Sequence, residues 1–111
     1  MLIKPQNRDN SREGFIEEDV EIDGRIIKGI IDTGSNLTLL SYNVYLYDFS
    51  NIKLNPPDIV LRDAQQRYVK VIGSFNQMIK LKPQEHKIKI YVVKELAKPL
   101  ILGLDFVHCF D

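Results

Sequence analysis

The chain has 111 residues, room for one compact domain and too few for two ordinary ones. Apolar residues make up 44% and charged residues 27%, which excludes a disordered tract, a collagen and a coiled coil. Fifteen Lys and Arg balance fifteen Asp and Glu, so the whole-domain positive charge of a nucleic-acid binder is missing and no nucleic-acid partner is expected.

Residues 1–13 are polar, contain Pro5 and show no period, and read as a tail or linker ahead of a folded domain over residues 14–111. The segment from Met1 to Gly14 lacks the apolar stretch of a signal peptide, and no run of about 18 apolar residues occurs, so no membrane association is expected. Val20 and Ile22, then Asp23-Gly24, then RIIKGII predict two strands joined by a tight hairpin, because Asp-Gly tolerates positive φ at both turn positions. LTLLS, residues 37–41, suits a buried strand, and Ser41 is placed to cap a single helical turn through Tyr45.

Pro56-Pro57 breaks the chain before three alternating runs, DIVLRD, RYVKVIG and SFNQMIKLK, and in the last of these Phe75, Gln77, Ile79 and Leu81 share a face. A β meander is the expected arrangement. Pro83-Gln84-Glu85 turns into a further strand, HKIKIYVV, and after Pro99 comes LILG, followed by LDFVHCF as a short C-terminal helix. Short strands with Gly and Pro punctuation predict a mainly β fold, a small barrel or sandwich. A strand pair ending in IIDTG and a later one ending in LILG form a faint internal echo.

The string Ile30-Ile31-Asp32-Thr33-Gly34-Ser35 sets an acid at the end of a fully apolar strand, with a turn immediately after it. Taken alone, D-T-G-S is an Asx turn with its carboxylate bonded into its own loop. Taken alone, Leu100-Ile101-Leu102-Gly103 is an ordinary buried strand. Together, IIDTGSNLTLLS and PLILGLDF resemble the retropepsins, the aspartic proteases of retroviruses and of gypsy-type LTR retrotransposons, and the likeness runs from about Val20 to Phe110.

The resemblance implies a closed, barrel-like β fold with one short C-terminal helix, active as a symmetric homodimer. It implies an aspartic endopeptidase acting on extended polypeptides, with a Gag-Pol-type polyprotein as substrate and its own release among the cleavages. Residues 1–13 would suit such a processing junction. Amide hydrolysis by carboxylates needs two of them, and a chain with one such loop gains the second by pairing two Asp32 residues about a two-fold axis. By the same resemblance Thr33 would bond across that axis, Gly34 would let the substrate backbone approach, and Ser35, where many retroviral enzymes have Ala, would donate to the Asp32 carboxylate. That donation would stabilise the charged form and give a more acidic working range than a Ser35→Ala variant has.

Asn36, Pro99 and Ile101 would flank the scissile bond. The hairpin from Ile59 to Ile72 matches the family's mobile flap, with Asp63, Ala64, Gln65 and Gln66 at a tip where retroviral enzymes are rich in Gly. Leu104 stands where retroviral enzymes often carry an Arg paired with an acid at the position of Asn36, so Asp105 is left to satisfy local backbone groups or Asn36. Only eight residues follow Gly103, and the family's C-terminal dimer strand is therefore expected to be missing or reduced, leaving a weak dimer.

His86, His108 and Cys109 are the only soft metal ligands, and adjacent residues 108 and 109 do not reach one centre, so neither metal nor cofactor is expected. Tyr42, Tyr45 and Tyr47 are expected in core or pocket packing, and Lys80, Lys82, Lys87 and Lys89 on a solvated strand face. A single cysteine fits a reducing interior, the cytoplasm or a virus-like particle. Two other readings stay open: a retropepsin-fold module that dimerises or holds peptides without cutting them, and a domesticated cellular protease acting on host proteins.

Overall fold

The computed structural model describes residues 16–110, so the tail expected over residues 1–13 and the domain start at residue 14 lie outside the described residues. Strands β1 (Ile16–Ile22) and β2 (Arg25–Ile31) pair antiparallel from Ile16↔Ile31 to Ile22↔Arg25. Asp23 and Gly24 have φ of 51° and 81°, the doubly positive turn expected for Asp-Gly, whose twist matches that of the strands it joins.

β3 (Thr38–Ser41) is buried at every position because it runs through the middle of the sheet, parallel to β7 (Gln84–Val93) and antiparallel to β8 (Leu100–Leu102). β8 in turn lies parallel to β2. With β6 (Val71–Leu81) the strands close into a barrel in the order β1-β2-β8-β3-β7-β6, while β4 (Leu61–Arg62) and β5 (Tyr68–Val69) form a separate hairpin.

The meander is thus only partly present. β6 and β7 are consecutive neighbours, but β3 and β8 reach theirs by crossovers. The runs RYVKVIG and SFNQMIKLK divide elsewhere than expected: Tyr68–Val69 of the first is β5, and Val71 to Leu81 is one long strand, with a register shift between Val71 and Gly73. Gly73 and Ser74, where the two runs divide, pair in regular succession with Val92 and Tyr91, and the irregularity falls at Ile72.

α1 (Tyr42–Asp48) begins where Ser41 caps it, the hydroxyl accepting the Asn43 N–H at 3.2 Å, and it continues past Tyr45 to Asp48. The expected C-terminal helix is α2 (Leu104–Phe110). Tyr45 is buried and its hydroxyl donates to the Ile52 carbonyl, whereas Tyr47 is 90% exposed and takes no part in the core. Lys80, Lys82 and Lys87 are exposed as expected. Lys89 shares the Lys87 face but is only partly exposed, and it pairs with Asp58 at the foot of the hairpin, its ammonium also lying over the Tyr91 ring.

Among the described residues two apolar clusters result. The larger fills the barrel with Val20, Ile22, Leu40, Phe75, Ile79, Ile90, Leu100 and Leu102 among its buried members, each fully buried aliphatic contributing about 1.5–3 kcal/mol. The smaller, Leu39, Tyr91, Val93 and Ile101, sits outside the barrel wall, and Leu37, Leu61 and Val69 pack on it. It is this second cluster that seats the β4–β5 hairpin above the loop leaving β2. No helix among the described residues is long and apolar enough to cross a membrane.

Candidate active site

Asp32 directly follows β2, and its N–H donates to the Leu102 carbonyl at 3.0 Å, which pins the acid beside the end of β8. The residue is only 3% exposed. Its carboxylate accepts the Gly34 N–H at 2.9 Å, and its carbonyl accepts the Ser35 N–H at 3.0 Å, closing a tight turn that leaves Thr33 and Gly34 on the surface.

The Ser35 hydroxyl does not act as expected. It donates to the Leu37 carbonyl at 2.8 Å, so its one proton fastens the loop to itself, and the Gly34 N–H donates to Asp32. The expectation of a Ser35-driven acidic shift loses its geometric basis.

Asp105 holds the loop from behind. Its two carboxylate oxygens accept the Thr38 hydroxyl at 2.8 Å and the Thr38 N–H at 3.1 Å, and the first also accepts the Phe106 N–H at 2.7 Å. Asn36 is engaged through its backbone, its carbonyl accepting the Asp105 N–H at 3.2 Å, while the Ser35 carbonyl accepts the Leu104 N–H at 2.8 Å. Backbone groups and a threonine thus do the work that the Arg–acid pair was expected to leave undone. Thr38 was missed by sequence reasoning, although a hydroxyl in the otherwise apolar run LTLL was the available signal. Replacing Asp105 by Ala is expected to cost about 2–4 kcal/mol, because two buried Thr38 donors lose a charged acceptor. Urea unfolding monitored by circular dichroism measures this, and a loss under about 0.5 kcal/mol would show that the clamp is dispensable.

A hollow of about 160 Å³ opens between this loop and the hairpin, lined by Gly34, Asn36, Leu37, Leu39, Leu61 and Arg62. Asn36 is therefore beside the acid loop as expected. The hairpin residues that reach the hollow are Leu61 and Arg62 on β4, not the expected tip residues Asp63, Ala64, Gln65 and Gln66. Pro99 is exposed and precedes β8, its carbonyl accepting the Ser41 N–H at 2.9 Å. Ile101 is fully buried in the cluster beneath Leu61 and Val69, so it forms the floor under the hairpin and not an open pocket wall.

The hairpin tip is ordered by one side chain. Asp63 accepts the N–H groups of Gln65 and Arg67, both at 2.9 Å, and the Arg67 guanidinium at 2.9 Å, and Gln66 takes the positive φ of 67° that glycine would otherwise supply. The Arg67 N–H above all, then the Gln65 N–H and the Arg67 side chain, hold the Asp63 carboxyl below its ordinary range against a smaller opposing effect of burial. A depressed native pKa means that this ordering is complete above the ordinary carboxylate range and is lost as pH falls through the lower native value. The amide resonances of Gln65 and Arg67 should therefore hold steady on acidification through pH ~4 and move only below it. Movement centred at the ordinary carboxylate pKa, or the same titration in Asp63→Asn, would contradict this.

Among the described residues no three His, Cys, Asp or Glu side chains gather as metal ligands. The His86 ring meets the Phe110 ring edge-on at 4.6 Å.

Neither protein-family models nor curated protein sequences give a match to this chain. Solved structures do. The EIAV protease complexed with an inhibitor superposes with a TM-score of 0.67 at 18% identity, over 92% of this chain and 93% of that one. The retroviral protease-like domain of Ddi1 from Leishmania major gives 0.66 at 14%, over 86% and 76%. A retropepsin-like aspartic protease from Rickettsia conorii gives 0.64 at 19%, over 91% and 75%. The chain has the retropepsin fold.

Proposed function

We propose that this chain is one half of an aspartic endopeptidase, completed when two copies bring their Asp32 loops together at a two-fold axis. The observation that carries the reading is a buried Asp32 whose neighbours Thr33 and Gly34 are exposed, on a fold shared with three retropepsin-like structures. Two carboxylates in contact share one proton: the ionised one takes a proton from water, and the protonated one donates to the substrate carbonyl. Thr33 bonds across the axis in this reading, Gly34 lines the substrate path, and Ser35 braces the loop through Leu37.

The β4–β5 hairpin acts as the flap, closing over an extended chain and adding main-chain hydrogen bonds to it. Its tip residues Asp63, Ala64, Gln65 and Gln66 meet substrate only on that closure, and Ile101 is reached only when the hairpin lifts. Asn36 and Pro99 border the path. The substrate is a polyprotein that includes the enzyme's own domain, residues 14–111, with residues 1–13 as the junction, and processing takes place in the cytoplasm or in an assembling particle. The test is hydrolysis of an unfolded protein at mildly acidic pH over a series of enzyme concentrations. A rate rising more steeply than linearly supports a site made from two chains. Strict proportionality down to the lowest concentration would overturn it, and absence of cleavage by folded protein would favour a peptide-holding module.

A further inference from the structure

Charge is divided unevenly over a chain whose formal charge is zero. Residues 16–31, the β1–β2 pair, carry five acidic and two basic side chains, whereas the hairpin and the segment after β7, residues 59–70 and 94–98, carry five basic and two acidic. A hollow of about 560 Å³ lies between these two basic pieces, with Arg67 and Lys70 on one side and Lys94 and Glu95 on the other. The Lys94 N–H donates to the Lys70 carbonyl at 2.9 Å, which sets the two lysines side by side at the hairpin root.

Both lysines are exposed, and neither takes part in an ion pair among the described residues. Of the acids nearby, Asp63 is occupied by Arg67. On the opposite edge of the hairpin, Arg62 lines the smaller hollow beside Gly34, its guanidinium 4.4 Å over the Tyr68 ring and bonded to the Tyr68 hydroxyl, again without a carboxylate partner among the described residues. Leu37 and Leu39 beneath the hairpin, and Leu61 within it, therefore have cations without an ion pair among the described residues at both flanks, Arg62 on one and Lys70 and Lys94, with Glu95 beside them, on the other.

We infer that this cleft selects polypeptide segments in which acidic side chains flank an aliphatic one, the aliphatic group entering between the Asp32 loop and β4 while Arg62, Lys70 and Lys94 receive the carboxylates. A peptide is favoured over a nucleic acid because the cations are few and border an apolar hollow, and the nearby Tyr68 ring is already covered by Arg62. The consequence for cleavage rests on the peptidase reading; the consequence for binding does not.

The test uses the full-length Asp32→Asn chain and fluorescent peptides with a central Leu flanked by Glu or by Gln, with a single-stranded RNA oligomer as a third probe. The Glu peptide is expected to bind about 3- to 10-fold more tightly than the Gln peptide at ~0.05 M salt, with the advantage shrinking at ~0.5 M. In Lys70→Gln/Lys94→Gln the advantage should fall to about twofold or less. Equal binding of the two peptides, no binding of either, an advantage unchanged in the double variant, or RNA binding more tightly than the Glu peptide would each overturn the inference. The unsubstituted chain should cleave the Glu peptide faster in the same ratio. Glu preference in binding with no cleavage at all would sink the peptidase reading and leave the acidic preference standing.

Discussion

Asp32→Asn is expected to lower kcat by roughly 10³-fold or more, because in the proposed dimer one substitution removes both the base and the acid. The fold should survive, since an Asn side-chain oxygen still accepts the Gly34 N–H that Asp32 accepts at 2.9 Å. Loss of activity alone would not show that the acid is shared between chains. Mixing does: when the variant is present in equal amount and exchange is complete, about a quarter of the dimers carry two native acids, so the rate per native chain falls by half. A catalytically self-sufficient chain would keep its full rate per native chain in the same mixture. An unchanged circular dichroism spectrum with undiminished hydrolysis would remove Asp32 from the chemistry.

The parts of this site that were legible in the sequence are those whose chemistry is local. Asp23-Gly24 announces its turn because two successive positive φ angles suit few other pairs, and Asp32-Thr33-Gly34-Ser35 announces a loop because an acid after Ile30-Ile31 has to find its hydrogen bonds in the residues next along the chain. Strand pairing is not local. The alternation in β7 is the same whether its neighbour is β6 or the parallel β3, so the crossovers that put Leu39 beside both Tyr91 and Ile101 leave no mark in the period. The same limit explains Ser35, whose hydroxyl had two acceptors within reach of its sequence neighbours and took Leu37. It also explains Ile101, set beside the scissile bond by the resemblance and buried beneath the hairpin in the fold. Thr38 and Asp105 lie far apart in sequence, so only the fold brings them together.

Gly103→Ala is expected to be strongly destabilising. A Cβ at that position would lie 2.4 Å from the Leu37 carbonyl oxygen, 2.7 Å from its carbon and 2.7 Å from the Ser35 carbonyl oxygen. All three contacts are backbone, which cannot swing aside as a side-chain end can. The segment in the way is also held: the Ser35 and Asn36 carbonyls accept the N–H groups of Leu104 and Asp105, and Thr38 is clamped by Asp105. Making room means parting the Asp32 loop from the first turn of α2, at about 3–5 kcal/mol for the overpacking and the broken bonds together.

Gly24→Ala is the matching control. There φ is +81° and nothing lies within 4 Å of the added carbon, so only backbone strain of about 1 kcal/mol is expected. Against a stability of about 5–15 kcal/mol for a domain, Gly24→Ala should lower the melting temperature by a few degrees, while Gly103→Ala leaves much of the chain unfolded at ~37 °C. Equal losses in the two variants would mean that the contact between the acid loop and α2 yields easily. Whatever folded Gly103→Ala remains should also hydrolyse peptides more slowly than Gly24→Ala, because the carbonyls its methyl displaces belong to the residues that carry Asp32.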